Sequence, residues 1–319
     1  MKPLKPWLSF PDQLQQLKDR GLGVENDVAA LDYLERLGYY RLSGYWYPLR
    51  EIDTAASAAQ GKPVRADTFV AGSRFEDVVK LYVFDKKLRL LALDALERIE
   101  MAVRVDVAHL LGKHDPCAHE NPACLHGNFA KKIIAYGRDA GKTQHQAWLE
   151  KYQALLYRAR KAPFVVHHQQ HYGALPVWVA IEVWDFGLLS KLFAGMRYAD
   201  QQTIAAIYGA PDGQTFAQWL RSLNFIRNVS AHHSRLWNIN VLEPSSVPAG
   251  WPVINNTRPF FYFCLMQQLM KVICPNSSWG RRFKTLLADD FPAGTNQTIS
   301  LADFGMFAGW EGWALWPQK

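Results

Sequence analysis

Apolar residues recur along this chain at the three- to four-residue spacing that is typical of amphipathic helices. The clearest run covers residues 74–112, where the aliphatic side chains fall within roughly a 120° arc of one long helix or two abutting helices. No long alternating pattern and no βαβ rhythm is present, so the sequence predicts an all-α fold. The same periodicity predicts further helices over residues 12–20, 26–37, 144–161, 176–195, 199–208, 213–238 and 258–274.

Two stretches without this periodicity separate the helices. Residues 53–72 are rich in Ala, Ser and Gly, which predicts a loop. Residues 113–128 contain two prolines and predict a second irregular connection. We therefore expect three parts: an N-terminal helical extension, a central helical bundle, and a C-terminal helical or irregular extension packed on that bundle, over residues 1–72, 73–245 and 246–319.

The end of the predicted helix 213–238 carries the most informative side chains. Residues 224–238 read NFIRNVSAHHSRLWN and concentrate arginines, amides and two histidines. On a continuous helix, five polar side chains would share roughly an 80° arc, with Arg227 at its flank. His233 would instead lie on the apolar side, so we assign chemistry to His232 and packing to His233. The five side chains on the shared arc are Arg221, Asn224, Asn228, His232 and Arg235.

These residue types fit the chemistry of a phosphodiester bond. An arginine can hold a phosphate through two parallel hydrogen bonds, and a histidine can transfer a proton near neutral pH. Asn228 lies one turn before His232 and can orient a neighbouring side chain. We predict Arg227, Asn228 and His232 as the catalytic residues, with Arg221, Asn224 and Arg235 as supporting contacts to RNA.

Four ordered segments resemble one known family. Arg227 and His232 have the spacing of the R-x4-6-H motif of HEPN ribonucleases, and the wording RNVSAHHSRLWN looks like the Abi-like (abortive infection bacteriophage resistance, AbiD/AbiF type) branch. The segment GYYRLSGYW at residues 38–46 and the segments at residues 75–104 and 175–190 are similar to the same family. The resemblance therefore covers most of the chain.

This resemblance implies a HEPN-type helical bundle in a bacterial antiphage defence protein. It implies an endoribonuclease that uses the RNA 2′-hydroxyl as nucleophile, needs no metal or other cofactor, and pairs two copies so that their motifs face each other. RNA and a second copy of the chain are thus the expected partners. The alternative is a non-catalytic RNA-binding or regulatory module, toxin–antitoxin-like or phage-sensing. The RNA target, the phage trigger and any associated small non-coding RNA or antitoxin cannot be read from the sequence.

Three other groups of residues have two interpretations each. Glu100 and Arg104 form either an ordinary surface ion pair one helical turn apart or a support for the Arg227 site. Arg41, in the aromatic segment at residues 38–46, is either part of a hydrophobic cap or a contact to RNA. The cysteines and histidines of residues 114–126 do not have a known zinc spacing, so we predict no metal site there. The three histidines within residues 167–171 are expected at a solvated helix end.

Composition adds limited information. The formal net charge of +7 and a pI near 9.1 suit an anionic partner. No run of 18 or more apolar residues appears, so no membrane span is predicted. The segment Met1–Pro6 lacks the apolar core of a signal peptide, and four cysteines do not suggest a disulfide scaffold. A cytoplasmic location is therefore expected.

Overall fold

The computed structural model describes residues 4–292 and 298–316, and within them helices predominate, which confirms the all-α prediction. The chain begins with α1 (Phe10–Asp19), α2 (Asp27–Leu37) and α3 (Tyr39–Trp46). The side chains of Ser9 and Asn26 cap the first two helices, which lie close to where the sequence predicts them. Gly38, at φ 83°, separates α2 from α3 in a conformation that side chains other than glycine rarely adopt.

The loop prediction for residues 53–72 is wrong. The strands β1 (Arg50–Ile52) and β2 (Arg65–Phe69) form a two-stranded antiparallel sheet, with α4 (Thr54–Gln60) between them. Asp53 caps α4 by accepting a hydrogen bond from the Ala56 amide at 2.8 Å. The strands are too short for a period-two pattern to stand out in the sequence.

The longest helix, α5 (Phe75–His114), confirms the prediction for residues 74–112. Its buried side chains continue along nearly its whole length, from Phe75 to Leu111. Helices from the N-terminal, central and C-terminal parts of the chain all pack against it. This helix is therefore the common support for the elements that carry the candidate site.

The central part of the chain contains seven helices after α5 within the described residues. The predicted helix 176–195 is broken, because a 3-10 turn at Ile181–Val183 ends the first segment and Trp184 is extended. Asp185 then starts a new helix by accepting a hydrogen bond from the Leu188 amide at 2.7 Å. The helices are α6 (Gly127–Ala130), α7 (Gln144–Arg158), α8 (Pro163–Tyr172), α9 (Val177–Ala180), α10 (Phe186–Gly195), α11 (Tyr198–Ile207) and α12 (Gly213–Ala231).

The C-terminal part contains α13 (Pro259–Ile273), α14 (Trp279–Thr285) with a following π-helical turn at Leu286–Asp290, and α15 (Leu301–Phe304). α13 packs on both α5 and α12. Residues 1–3, weighed above for a signal peptide, and residues 293–297 and 317–319 of the C-terminal extension lie outside the described residues. Across residues 4–292 and 298–316, no helix combines the length and the apolarity needed to cross a membrane.

Candidate functional site

α12 ends at Ala231, so the prediction of one helix over residues 213–238 is wrong at its C-terminal end. The Ser234 amide donates to the Val229 carbonyl at 2.9 Å, and the His233 amide donates to the Ser230 carbonyl at 3.2 Å. This pair of bonds is the Schellman motif, in which the residue after the cap is left-handed and usually glycine. Here that residue is His233, at φ 58°. Because neither glycine nor proline marks the end, the sequence pattern does not show it.

The early end of α12 changes the positions of the residues beyond it. His232 and His233 are both exposed, so the assignment of His233 to core packing is wrong. Leu236 and Trp237 are buried, but as part of the irregular segment that follows the helix. Arg235 does not share a helical face with Asn224 and Asn228. Its guanidinium is turned to α3, where it donates to the Gly44 carbonyl, and burial lowers its pKa.

A buried carboxylate on α5 holds this segment. Asp85 accepts hydrogen bonds from the amides of Leu236, at 3.1 Å, and Trp237, at 2.8 Å. The Tyr45 hydroxyl donates to the same carboxylate at 2.7 Å, and Arg89 forms an ion pair with it. Burial raises the pKa of Asp85, while Arg89 and the three other donors oppose that rise. The turn that carries His232 and His233 is thus anchored to the core immediately after it leaves α12.

α3 also contacts this turn directly. Arg41 donates to the His233 carbonyl at 2.5 Å, and Arg89 of α5 donates to the Ser234 carbonyl at 3.4 Å. Leu42, Tyr45 and Trp46 are buried, which agrees with a hydrophobic cap. We therefore define the histidine turn as residues 232–237, held from one side by α3 and from the other by α5. A contact of Arg41 with RNA stays a prediction.

The anchoring residues Tyr45, Asp85 and Arg89 were not predicted from the sequence. All three lie in segments that resemble the family, but none was assigned to the site. The available signal was an Asp–Arg pair four residues apart in a helix otherwise rich in apolar residues. Such a pair is usually on the surface, and only the packing of α5 shows that both side chains are almost fully buried.

Glu100, Arg104 and Arg227 form a second polar cluster between α5 and α12. Arg104 donates to Glu100 at 2.6 Å and also to the Trp184 carbonyl, so the pair is part of the packing and not an exposed surface bridge. Burial raises the pKa of Glu100, and the charges of Arg104 and Arg227 oppose that rise. Glu100 and Arg104 thus lie near Arg227, and their role as a support for a site at Arg227 stays a prediction.

The amides of α12 lie on either side of this cluster. Arg227 donates to the Asn228 side-chain oxygen at 3.3 Å, and both side chains are half-buried. Asn224, one turn earlier, is half-buried against Gly187 at the start of α10. Arg221 is exposed and lies 3.4 Å from Glu243. Asn228 therefore contacts the arginine, and its link to His232 is the backbone bond from the His232 amide to the Asn228 carbonyl at 2.9 Å.

The cysteines and histidines of residues 114–126 do not form one cluster, and the histidines have separate contacts. His114 contacts Asp200 at 3.0 Å, and the His126 ring caps α6 and lies 2.9 Å from the Ala194 carbonyl. His119 is buried among Trp148, Tyr152 and Trp184. In the part of the chain that the structure describes, no three His, Cys, Asp or Glu side chains are grouped so that they could hold a metal ion. The histidines of α8 are largely exposed, as expected.

One comparison with known proteins gave a match. The family model for Abi-like proteins matches residues 32–238, from α2 through the histidine turn, which is more than half of the chain. A search of curated proteins and a search of solved structures each found no match. The matched range contains the buried anchor of Asp85, the Glu100–Arg104–Arg227 cluster and both exposed histidines. The chain belongs to the Abi-like protein family.

Proposed function

We propose that this protein is a metal-independent endoribonuclease acting in abortive infection. Membership of the Abi-like family supports the defence role, and the resemblance of the Arg227–His232 spacing to HEPN ribonucleases supports the reaction. The observation that carries the proposal is the end of α12. It leaves Arg227 half-buried beside Glu100 and exposes His232 on a turn anchored by Asp85.

The proposed reaction is a transesterification within the RNA. The 2′-oxygen attacks the adjacent phosphorus and loses its proton to a base, the bond to the 5′-oxygen breaks, and that oxygen receives a proton from an acid. The products are a 2′,3′-cyclic phosphate and a 5′-hydroxyl. His232 would supply one of the two proton transfers, and Arg227 would stabilise the negative charge that grows on the phosphate oxygens. DNA lacks the nucleophile and should not be cut.

Two proton transfers call for two groups, and each chain offers one histidine of this motif. A second copy of the chain would supply the other, so the proposal includes a two-fold homodimer with the histidine turns near its axis. In such a dimer each chain would present the same Arg227 and His232 to the partner. RNA and a second copy of the chain are therefore the proposed partners.

The direct test is cleavage of single-stranded RNA by the purified protein, with detection of 2′,3′-cyclic phosphate ends. His232→Ala should lower the rate by roughly 10²- to 10⁴-fold and leave the melting temperature almost unchanged, because the side chain is exposed. His171→Ala is the matched control, since this histidine is also exposed and lies at the end of α8. Equal cleavage by the His232→Ala variant and the unmodified protein would refute the assignment.

One observation favours the alternative of an RNA-binding module without cleavage. Within the described residues, no side-chain hydrogen bond orients the His232 ring, whereas a general base is usually held by a further group. If the alternative holds, the protein will bind RNA without producing cyclic phosphate ends. His232→Asn will then bind as tightly as the unmodified protein.

A further inference from the structure

A basic cavity of about 370 Å³ lies next to the candidate site, between α7, α10 and α12. Its positively charged lining consists of Lys151 and Arg158 from α7 and Lys191 from α10. Asn224 of α12 completes the wall, against the backbone at Gly187. A Cβ atom at position 187 would lie 3.3 Å from the Asp185 carboxylate and 3.4 Å from the Asn224 amide nitrogen, so both side chains approach the Gly187 backbone closely.

Within the described ranges, none of the three cations of this cavity forms a salt bridge, although the carboxylate of Asp185 also lines it. The neighbouring Glu150 is bound to Lys142 at 2.6 Å, and Asp185 accepts the Leu188 amide as the cap of α10. Lys151 and Lys191 are close enough to affect each other. Partial burial and the Lys151 ammonium lower the pKa of Lys191, and the carboxylates of Asp139 and Asp185 oppose that change. Two like charges held together in this way are stabilised when an anion binds between them.

The position of the cavity relative to Arg227 indicates which anion fits. Asn224 lies one helical turn before Asn228, or about 6 Å along the helix axis. An anion beside Asn224 would therefore be a near neighbour of a phosphate held by Arg227. Consecutive phosphates along a nucleic acid strand have this arrangement, and lysine, arginine and amide side chains are their usual protein contacts.

We propose that the cavity lined by Lys151, Arg158, Lys191 and Asn224 is a subsite for a phosphate group of the RNA backbone, next to the phosphate that is cleaved. This inference rests on the proposed function and extends it from the reacting phosphate to the path of the strand. Its residues position the RNA and do not touch the reacting atoms. Loss of the subsite should therefore raise KM and leave kcat nearly unchanged.

The test measures binding of a short fluorescein-labelled single-stranded RNA at several salt concentrations, in a His232→Ala background that prevents cleavage. The variant is Lys151→Ala/Lys191→Ala. The control is Lys80→Ala/Lys271→Ala, which removes the same charge from exposed positions on α5 and α13. Each phosphate contact to a single strand contributes about 0.7 to the slope of log affinity against log salt. The subsite variant should lose about 0.7 from this slope, and the control should not.

The possible outcomes separate this inference from the proposed function. If RNA binds with the same slope and affinity to the subsite variant and to the control, the subsite is refuted and the nuclease proposal stands. If inorganic phosphate raises the melting temperature only when Lys151 and Lys191 are present, while RNA binding is unaffected by their loss, the cavity serves a free phosphate compound and the RNA assignment is overturned. If no form of the protein binds RNA, both proposals fail.

Discussion

Removal of the Asp85 carboxylate should destabilise the protein and release the histidine turn. In Asp85→Ala, Arg89 would be left as a buried charge without its partner, which costs about 3–5 kcal/mol. The amides of Leu236 and Trp237 and the Tyr45 hydroxyl would lose the same acceptor. The cost is a large fraction of the usual 5–15 kcal/mol stability of a folded protein. The free energy of unfolding, measured by denaturant titration, should fall by that amount.

A milder substitution tests whether the loss of stability comes from the hydrogen bonds to Asp85. Tyr45→Phe removes one donor to Asp85 and should cost about 1.5–3 kcal/mol, the range for a hydrogen bond to a charged group. Tyr82→Phe is the matched control, because Tyr82 packs edge-to-face on Tyr45 and has no hydrogen bond to Asp85 among the described contacts. In Asp85→Ala, RNA cleavage measured where the variant is still folded should also fall, since His232 loses its anchor. A loss of less than about 1 kcal/mol in Asp85→Ala would refute the reasoning, because a buried ion pair that loses one partner must cost more.

Three further predictions concern the histidine turn, the metal and the assembly. His233→Gly should raise the free energy of unfolding by up to about 1 kcal/mol. A left-handed conformation costs residues other than glycine about 1–2 kcal/mol, and the greater chain entropy of glycine offsets part of that gain. A lower melting temperature for this variant would contradict a strained cap at His233. RNA cleavage should persist in excess chelator. If activity is lost and then restored by magnesium, Glu100 and Asp185 would be implicated as metal ligands. These two residues are close enough for Asp185 to raise the pKa of Glu100. Light scattering at micromolar concentration should show a dimer, and a strict monomer that still cleaves RNA would rule out the two-fold site.

Two carboxylates, those of Glu100 and Asp185, lie near the Arg227 site. Glu100 and Asp185 are far from Arg227 along the chain, and helical phasing within α12 cannot show what neighbouring helices contribute. Glu100 is held by Arg104, and Asp185 is engaged as the cap of α10. The family resemblance supports metal independence, and the chelator experiment tests it.

The positions of six helices follow from the sequence alone. The 3.6-residue period places α1, α2, α5, α7, α11 and α13 close to their observed bounds. α1 and α2 each bury one apolar face, whereas α13 is buried on nearly all sides from Pro259 to Gln267. Where local signals compete, the prediction is less accurate. Asp185 is a good helix cap, yet the apolar run on both sides of it predicts a single helix over residues 176–195.

Tertiary structure decided the features that define the site. α12 ends at Ala231 without glycine or proline because contacts from Arg41 and Asp85 hold the turn that follows it. Two ion pairs on α5 also show that tertiary structure decides what the sequence spacing leaves open. Asp85–Arg89 and Asp94–Arg98 have identical spacing, but the first pair is at most 5% exposed and the second is 27–37% exposed. Sequence spacing determines that each pair can form, whereas burial, and with it the cost of losing one partner, depends on which helices pack against that face.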